Sequence, residues 1–265
     1  VKKFNPELTV SFCSPEASRI SYGLGIKHVA FCDSPHAEAV MRLCLPLVQR
    51  LLIPWVIPKK EFTKYGISEE KILQYKAIDA SVIVKERSKK DVKYNFLLKK
   101  KKTILIRPEE SEAAYVSDNE NRIIRIIREI TKEFPNYNIV ILGRYLPQIN
   151  KLKREFGSKI IMMNGVVDGK SLLKLVDVFI GSGGTMTAES ALMGIPTISY
   201  DAVPNYIEQY LVRNGLVKRE KNPQKIVFLV KEILKSDNKK SRTNAKKIAD
   251  SMEDPFSKLI THIRN

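Results

Sequence analysis

Ser182-Gly183-Gly184-Thr185, with Glu189 a helical turn further on, carries the clearest chemistry in this 265-residue chain. Gly183 and Gly184 have no Cβ, so a bulky anion can approach the backbone there. The run that follows suits a helix, and the N–H groups and dipole at a helix start favour negative charge. Ser182 adds a hydroxyl donor, and Thr185 opens the helix. A diphosphate fits such a turn. Glu189 must serve another part of the same ligand, because a carboxylate beside a phosphate repels it. It lies four residues past Thr185, on the same helical face, and its side chain leans toward the helix N-terminus. That places it to accept hydrogen bonds from a ribose diol next to the diphosphate. The alternative is a plain tight turn in an α/β core. The flanks argue against it: a strand-forming run at 178–180 before the turn, Gly194 in a helix C-cap position, and Pro196 after it.

Three further groups of residues could do chemistry. Asp33-Ser34-Pro35-His36-Ala37-Glu38 packs two carboxylates, a hydroxyl and an imidazole into six residues. His36 can titrate near neutral pH and Asp33 could orient it, so Asp33, His36 and Glu38 are candidate acid–base groups. The competing reading is that Asp33 and Ser34 cap the helix that follows, and that Glu38 pairs with Arg42 one turn on. Arg107 and Arg144 each end an apolar run just before a turn, where a guanidinium could clamp a diphosphate bidentately. Val166 and Val167, with Gly165, sit in a loop ahead of Asp168 and could offer main-chain groups to a flat base; a plain strand-to-helix loop reads the same way. His28 falls inside a strand and reads as a core or edge residue, His262 as a surface one. The cysteines, Cys13, Cys32 and Cys44, have no metal-ligand spacing and no disulfide framework, so they read as free thiols of a reducing compartment. No metal site is expected.

The stretch 176–200 resembles the donor-nucleotide motif of GT-B-fold glycosyltransferases: Asp177, a short apolar run, Ser182-Gly183-Gly184, Glu189 five positions after Gly184, then Gly194-Ile195-Pro196. Its pattern is similar to that of the N-acetylglucosaminyltransferases that form lipid II, and UDP-N-acetylglucosamine 2-epimerases carry a similar Ser-Gly-Gly turn. Through Asp33-Ser34-Pro35-His36-Ala37 and 181–199 the whole chain resembles an uncharacterised, largely archaeal family of that superfamily. The resemblance implies two facing Rossmann-type sheets and a UDP-sugar substrate with no other cofactor. It implies that Ser182, Gly183 and Gly184 hold the diphosphate, Glu189 the ribose, and Val166 and Val167 the uracil. In the epimerases a Glu and an Arg stand at the separation of Glu38 and Arg42. Where their other catalytic carboxylates align, this chain has Ser14 and Ala30, and where their histidine falls it has Arg107-Pro108-Glu109. Metal-independent glycosyl transfer is therefore the leading expectation, with epimerase-like chemistry on altered residues, or nucleotide binding without catalysis, as alternatives.

The elements that must position these residues alternate strand and helix, which indicates doubly wound parallel sheets. Strands are expected at 8–13, 27–32, 81–84, 103–106, 137–142, 159–163, 178–180 and 195–199. Helices are expected at 16–24, 38–52 with a break at Pro46, 119–133, 168–175, 185–193, 207–214, 223–235, 239–252 and 255–263. Residues 53–58, with two prolines, read as irregular or edge, and 65–72 as loop and short helix. The expected fold is GT-B-like: a partial N-terminal Rossmann-like domain over 1–98, a nucleotide-sugar-binding domain over 99–250, and a last helix, 251–265, crossing back to the first domain. Residues 1–6 look like the tail of a helix entering a strand, so the first domain is expected to be truncated.

Lys and Arg number 46 against 29 Asp and Glu, a net charge of +17. The charge is spread over helices and linkers, and no helix-turn-helix, RRM, zinc finger or aromatic-basic platform accompanies it, which argues against nucleic acid. It suits an anionic ligand and a lipid-linked or glycan acceptor at a membrane surface. No run of about 18 apolar residues exists to span a bilayer. A cytoplasmic protein, at the inner face of the membrane, is the expectation.

Overall fold

The structure, a computed structural model, describes residues 4–86, 101–109, 120–163, 167–200 and 205–263, with the backbone alone at 120, 121, 262 and 263. The chain forms two compact units. One comprises Val1–Val82, Asn205–Ile207 and Met252–Asn265; the other comprises Ile83–Pro204 and Glu208–Ser251.

In the first unit β1 (Leu8–Ser11), α1 (Pro15–Gly23), β2 (Lys27–Phe31), α2 (Glu38–Cys44), β3 (Arg50–Pro54), α3 (Lys60–Thr63), β4 (Ile72–Tyr75) and the start of α4 (Ala80–Lys85) follow in order. The four strands make one parallel sheet in the order β1-β2-β3-β4, with Ser11 opposite Ala30 and Phe31 opposite Leu52. Ser14 caps α1: its hydroxyl accepts from the Ala17 N–H at 3.2 Å, and Pro15 stands at the first helical position. His28 is fully buried, with ring nitrogens 2.6 Å from the Thr9 hydroxyl and 3.0 Å from that of Ser11. Met41, Cys44, Leu51, Ile53, Ile57 and Phe62 fill the core beneath.

Four expectations fail in this unit. The helix expected over 38–52 ends at Cys44; Pro46 lies in a single 3-10 turn, Leu45–Leu47, and the chain then extends as β3. Residues 53–58 were expected to be irregular or edge; 55–57 are indeed turn and bend, but Ile53 and Pro54 close a buried strand flanked by β2 and β4. Pro54 is its last residue, so the lost donor falls at the end of the ladder. Residues 81–84, expected as a strand from Val82-Ile83-Val84, lie in α4, because a short β-branched run carries no decisive period and its surroundings chose the helix. β4 itself falls partly in the segment expected as loop and short helix.

The second unit continues with β5 (Thr103–Arg107), α5 (Glu120–Glu133), β6 (Asn138–Ile141), α6 (Leu146–Phe156), β7 (Ile161–Met162), α7 (Gly169–Leu173), β8 (Val178–Gly181), α8 (Thr185–Leu192), β9 (Thr197–Ser199), α9 (Tyr206–Arg213), β10 (Val217–Arg219), α10 (Pro223–Lys235) and α11 (Lys239–Asp250). Its six-stranded sheet is parallel throughout, in the order β10-β9-β8-β5-β6-β7. Ile123, Ile126, Ile127 and Ile130 of α5 bury against Ile104, Ile106 and Ile180. The sequence reading did not assign α6 or β10. After α11 the chain returns to the first unit as α12 (Pro255–Ile263), where the Phe256 ring packs 5.9 Å from that of Phe31.

The strand order fixes where a ligand of the second unit can sit. β5, β6 and β7 run outward on one side of the sheet; β8 returns to lie beside β5 and leads outward on the other. The order therefore reverses between β5 and β8, and a crevice opens at the carboxyl ends of strands that diverge there.

Candidate functional site

β8 ends at Gly181 and the chain turns through Ser182-Gly183-Gly184 into α8, as the sequence pattern requires. A Cβ on Gly181 would stand 2.5 Å from the Phe179 ring and 2.6 Å from the Thr187 hydroxyl. Gly183 has φ +91°, a left-handed conformation that other residues rarely adopt. Its N–H is not offered to a ligand: it donates to the Thr187 hydroxyl at 3.2 Å. Gly184 is the helix N-cap and accepts from the Thr187 N–H at 3.0 Å. The N–H groups of Thr185 and Met186 begin the helix, with no carbonyl a turn behind them.

A cavity of about 580 Å³ opens at this end of the sheet. Thr185, Met186 and Glu189 of α8 line it, as do Arg107 at the end of β5 and Arg144 just past β6. Val167, Asp168, Gly169 and Lys170, at the start of α7, close another side, and Ile83 and Glu86 complete it. Among the sequence candidates, Arg107, Arg144, Val167, Thr185 and Glu189 thus share one cavity. Ser182, Gly183 and Gly184 are not among its lining residues. Val166 lies outside the described residues.

The two arginines differ. Arg107 donates from Nη1 to the carbonyls of Leu142 (2.8 Å) and Gly143 (2.9 Å), so it ties β5 to the loop after β6. Arg144 donates from Nε to the Pro108 carbonyl at 3.4 Å, and its Nη2 stands 3.9 Å from the point where a Cβ on Gly184 would be. That guanidinium is beside the turn. Burial pushes the Glu189 carboxyl up from the usual glutamate range. Asp168 caps α7, accepting from the Ser171 N–H at 2.7 Å.

Two pairings in the second unit were not legible in the sequence. Lys170 donates from Nζ to the carbonyls of Ile83 (3.0 Å), Val84 (2.7 Å) and Glu86, holding the C-terminal end of α4 as part of the cavity wall. Glu109 is buried, and Tyr200 donates to its carboxylate. Both pairings join residues far apart in the chain, and no local pattern announces them.

In the first unit the Asp33 carboxylate accepts from the Ser34 hydroxyl at 2.7 Å. Burial pushes the His36 imidazole down, with the Asp33 charge opposing it, so the ring is neutral at physiological pH and can accept a proton. Glu38 instead points to solvent and pairs with Arg42 at 2.7 Å, the i,i+4 alternative weighed for it; their side chains are 62% and 65% exposed. The structure adds Asp79, which sequence reading passed over. It follows β4 and accepts a hydrogen bond from the buried Tyr75 hydroxyl. Burial raises its carboxyl to about 6, the Tyr75 bond lowers it, and Asp33 raises it further. Among the described residues no three His, Cys, Asp or Glu side chains are grouped to hold a metal ion, and no helix is long and apolar enough to cross a membrane.

Two parallel-sheet α/β units, one with its crevice beside a Ser-Gly-Gly helix start, place the chain in the GT-B-like class of folds. It belongs to the family described as "Protein of unknown function (DUF354)", whose model matches residues 1–265. A relative in Methanocaldococcus jannaschii, described as "Uncharacterized protein MJ0665", is 26% identical over 272 residues, covering 100% of this chain and 76% of that protein. MnaA of S. aureus, solved with UDP, is similar in structure at a TM-score of 0.77 and 15% identity, over 99% of this chain and 76% of that one. UDP-GlcNAc 2-epimerase of Neisseria meningitidis, solved with UDP-GlcNAc, gives a TM-score of 0.69 at 17% identity, over 100% of this chain and 78% of that one. These likenesses establish the fold.

Proposed function

We propose that this protein binds a UDP-sugar in the cavity of its second unit and transfers the sugar without a metal ion. The carrying observation is the shared cavity: a helix N-terminus, the Arg144 guanidinium and the Glu189 carboxylate line one space at the β5–β8 crevice. The diphosphate takes the Thr185 and Met186 N–H groups and Arg144. Glu189 accepts from the ribose hydroxyls. The uracil lies along Val167, with Val166 in the same loop. The UDP in the structurally similar MnaA supports a uridine nucleotide over other diphosphates.

In transfer, an acceptor hydroxyl oxygen bonds to the anomeric carbon while the bond from that carbon to the diphosphate oxygen breaks. UDP leaves with the electron pair. The helix N-terminus and Arg144 stabilise the developing charge, the task a metal performs elsewhere. The hydroxyl proton needs a general base, for which Asp33 and His36 are the acid–base candidates. A net charge of +17 suits a lipid-linked or glycan acceptor at an anionic membrane surface on the cytoplasmic side.

The similarity to UDP-GlcNAc 2-epimerases favours a second reading, epimerisation in which other groups do the work of the carboxylates that Ser14 and Ala30 replace. Calorimetric titration with UDP tests the binding step. Micromolar affinity that weakens in Glu189→Ala supports the site, and no binding of any nucleoside diphosphate removes it. Incubation with UDP-GlcNAc in deuterated water then separates the reactions. Deuterium at C2 of the sugar means epimerisation; sugar on an acceptor, with UDP released and no deuterium, means transfer.

A further inference from the structure

The Tyr200–Glu109 pair does not stand alone. Tyr200 lies just past β9, Glu109 just past β5 and Arg144 just past β6. In the sheet β9 and β5 flank β8, and β6 follows β5. A run of hydrogen bonds crosses these strand ends. The Tyr200 hydroxyl accepts from the Glu109 N–H at 3.0 Å and donates to the Glu109 carboxylate. The Glu109 carbonyl accepts from Gln148 Nε2 at 3.4 Å, and Gln148 Oε1 accepts from the Arg144 N–H at 3.0 Å. Arg144 Nε donates to the Pro108 carbonyl at 3.4 Å. The Tyr200 N–H donates to the Gly181 carbonyl at 3.0 Å, so the end of β8, where the Ser-Gly-Gly turn begins, is tied to the same run.

Each part has an ordinary explanation, and none covers the whole. Gln148 is the third residue of α6, and a glutamine there commonly reaches back to an N–H at the helix start. Such a cap uses one end of the amide. Here the other end crosses to the loop after β5, 39 residues away. A buried tyrosine needs a partner for its hydroxyl. Tyr200, fully buried, takes its partners from the loop whose two carbonyls receive Arg144 and Gln148. Arg144 is thereby gripped twice, at its main-chain N–H by Gln148 and at Nε by the Pro108 carbonyl. The grip leaves Nη2 beside the turn, 3.9 Å from the point where a Cβ on Gly184 would be. A loose arginine loses side-chain entropy when it takes an anion; one already held loses less.

We propose that Gln148 and Tyr200 are positioning residues that hold Arg144 ready for a diphosphate. Gln148 acts on Arg144 directly; Tyr200 acts through the Pro108–Glu109 loop. The inference rests on reading the cavity as a UDP-sugar site. Neither Gln148 nor Tyr200 lines that cavity, whereas Arg144 does. Their effect therefore reaches the ligand through its phosphates, and the nucleoside, served by Glu189 and Val167 in that reading, is indifferent to them.

Calorimetry with UDP and with uridine compares wild type, Arg144→Ala, Gln148→Met and the double variant. Gln148→Met keeps the length of the side chain and loses both of its hydrogen bonds. It should weaken UDP about tenfold and leave uridine unchanged. In the Arg144→Ala background it should change UDP affinity by less than about twofold, because the arginine through which it acts is gone. Tyr200→Phe should repeat the pattern. It strips a partner from a buried carboxylate, and should it fail to fold, Gln148→Met, half-buried at a helix start, decides alone. Unchanged UDP affinity in Gln148→Met, an equal loss for uridine, or the same loss with and without Arg144 would each overturn the inference and leave the nucleotide site standing. A folded Tyr200→Phe that binds UDP as wild type does would overturn the part given to Tyr200. Wild-type protein that binds no nucleoside diphosphate would remove the site and the inference together.

Discussion

Glu189 on α8 reaches the opening of α7: its Oε2 stands 3.8 Å from the point where a Cβ on Gly169 would be. The two helix starts that border the cavity are thereby brought to one carboxylate. Glu189→Ala should weaken UDP binding by about 1–2 kcal/mol, the range for one hydrogen-bonded group. UMP should lose a similar amount, and free pyrophosphate should lose none, because in the proposed site the carboxylate serves the ribose. Calorimetry with the three ligands checks this.

The same residue predicts a pH dependence. In the proposed site the ionised carboxylate accepts from the ribose hydroxyls, and burial raises its pKa in the free protein. UDP affinity should therefore begin to fall at a higher pH than an ordinary glutamate would give, as acidification protonates it. Glu189→Gln should flatten that arm of the profile.

Arg144 and Arg107 should part company. Arg144 stands beside Gly184, so Arg144→Ala should cost UDP about 1.5–3 kcal/mol and leave uridine binding unchanged. Arg107 spends its guanidinium on the Leu142 and Gly143 carbonyls. Arg107→Ala should show chiefly as lower stability in a denaturant titration.

Gly183, at φ +91°, should resist any side chain. Gly183→Ala should cost about 1–3 kcal/mol from backbone strain, read as a lower denaturation midpoint. Gly181→Ala adds a contact at 2.5 Å with Phe179, a buried ring that cannot withdraw, and should be worse.

Asp79 should make the protein less stable as pH rises. Its carboxyl is raised from 3.8 to about 6 in the folded chain. Below the lower value both states hold the proton, and its stabilising contribution is complete. Between the two values the unfolded chain loses the proton first, so stability falls, by at most about 3 kcal/mol. Asp79→Asn should remove this slope between pH 4 and 6 in urea titrations. Asp33→Asn should shrink it, because the Asp33 charge contributes to the shift.

Much of the second unit was legible from local pattern. The apolar run at 178–180, the glycines that follow and the 3.6-residue period of α5 specify a strand, a turn and a helix wherever they occur. The turn at Ser182-Gly183-Gly184 and the position of Glu189 one turn past Thr185 were legible for the same reason, since one helix turn sets the spacing. The first unit read less well. Pro54 and Pro58 masked β3, and Val82-Ile83-Val84 looked like a strand, because short apolar runs take their conformation from neighbours.

The sequence by itself determined the doubly wound parallel fold, the helix start at Thr185 and the caps at Asp168 and Gly194, all set by residues within a few positions. Only tertiary structure decided which residues meet. It spent Arg107 on carbonyls and brought Arg144 to Gly184, placed Lys170 under the end of α4, set Asp79 on Tyr75, and put Cys13, Cys32 and Cys44 in one buried core. These are contacts across the chain, fixed by strand order and register, to which local periodicity is blind.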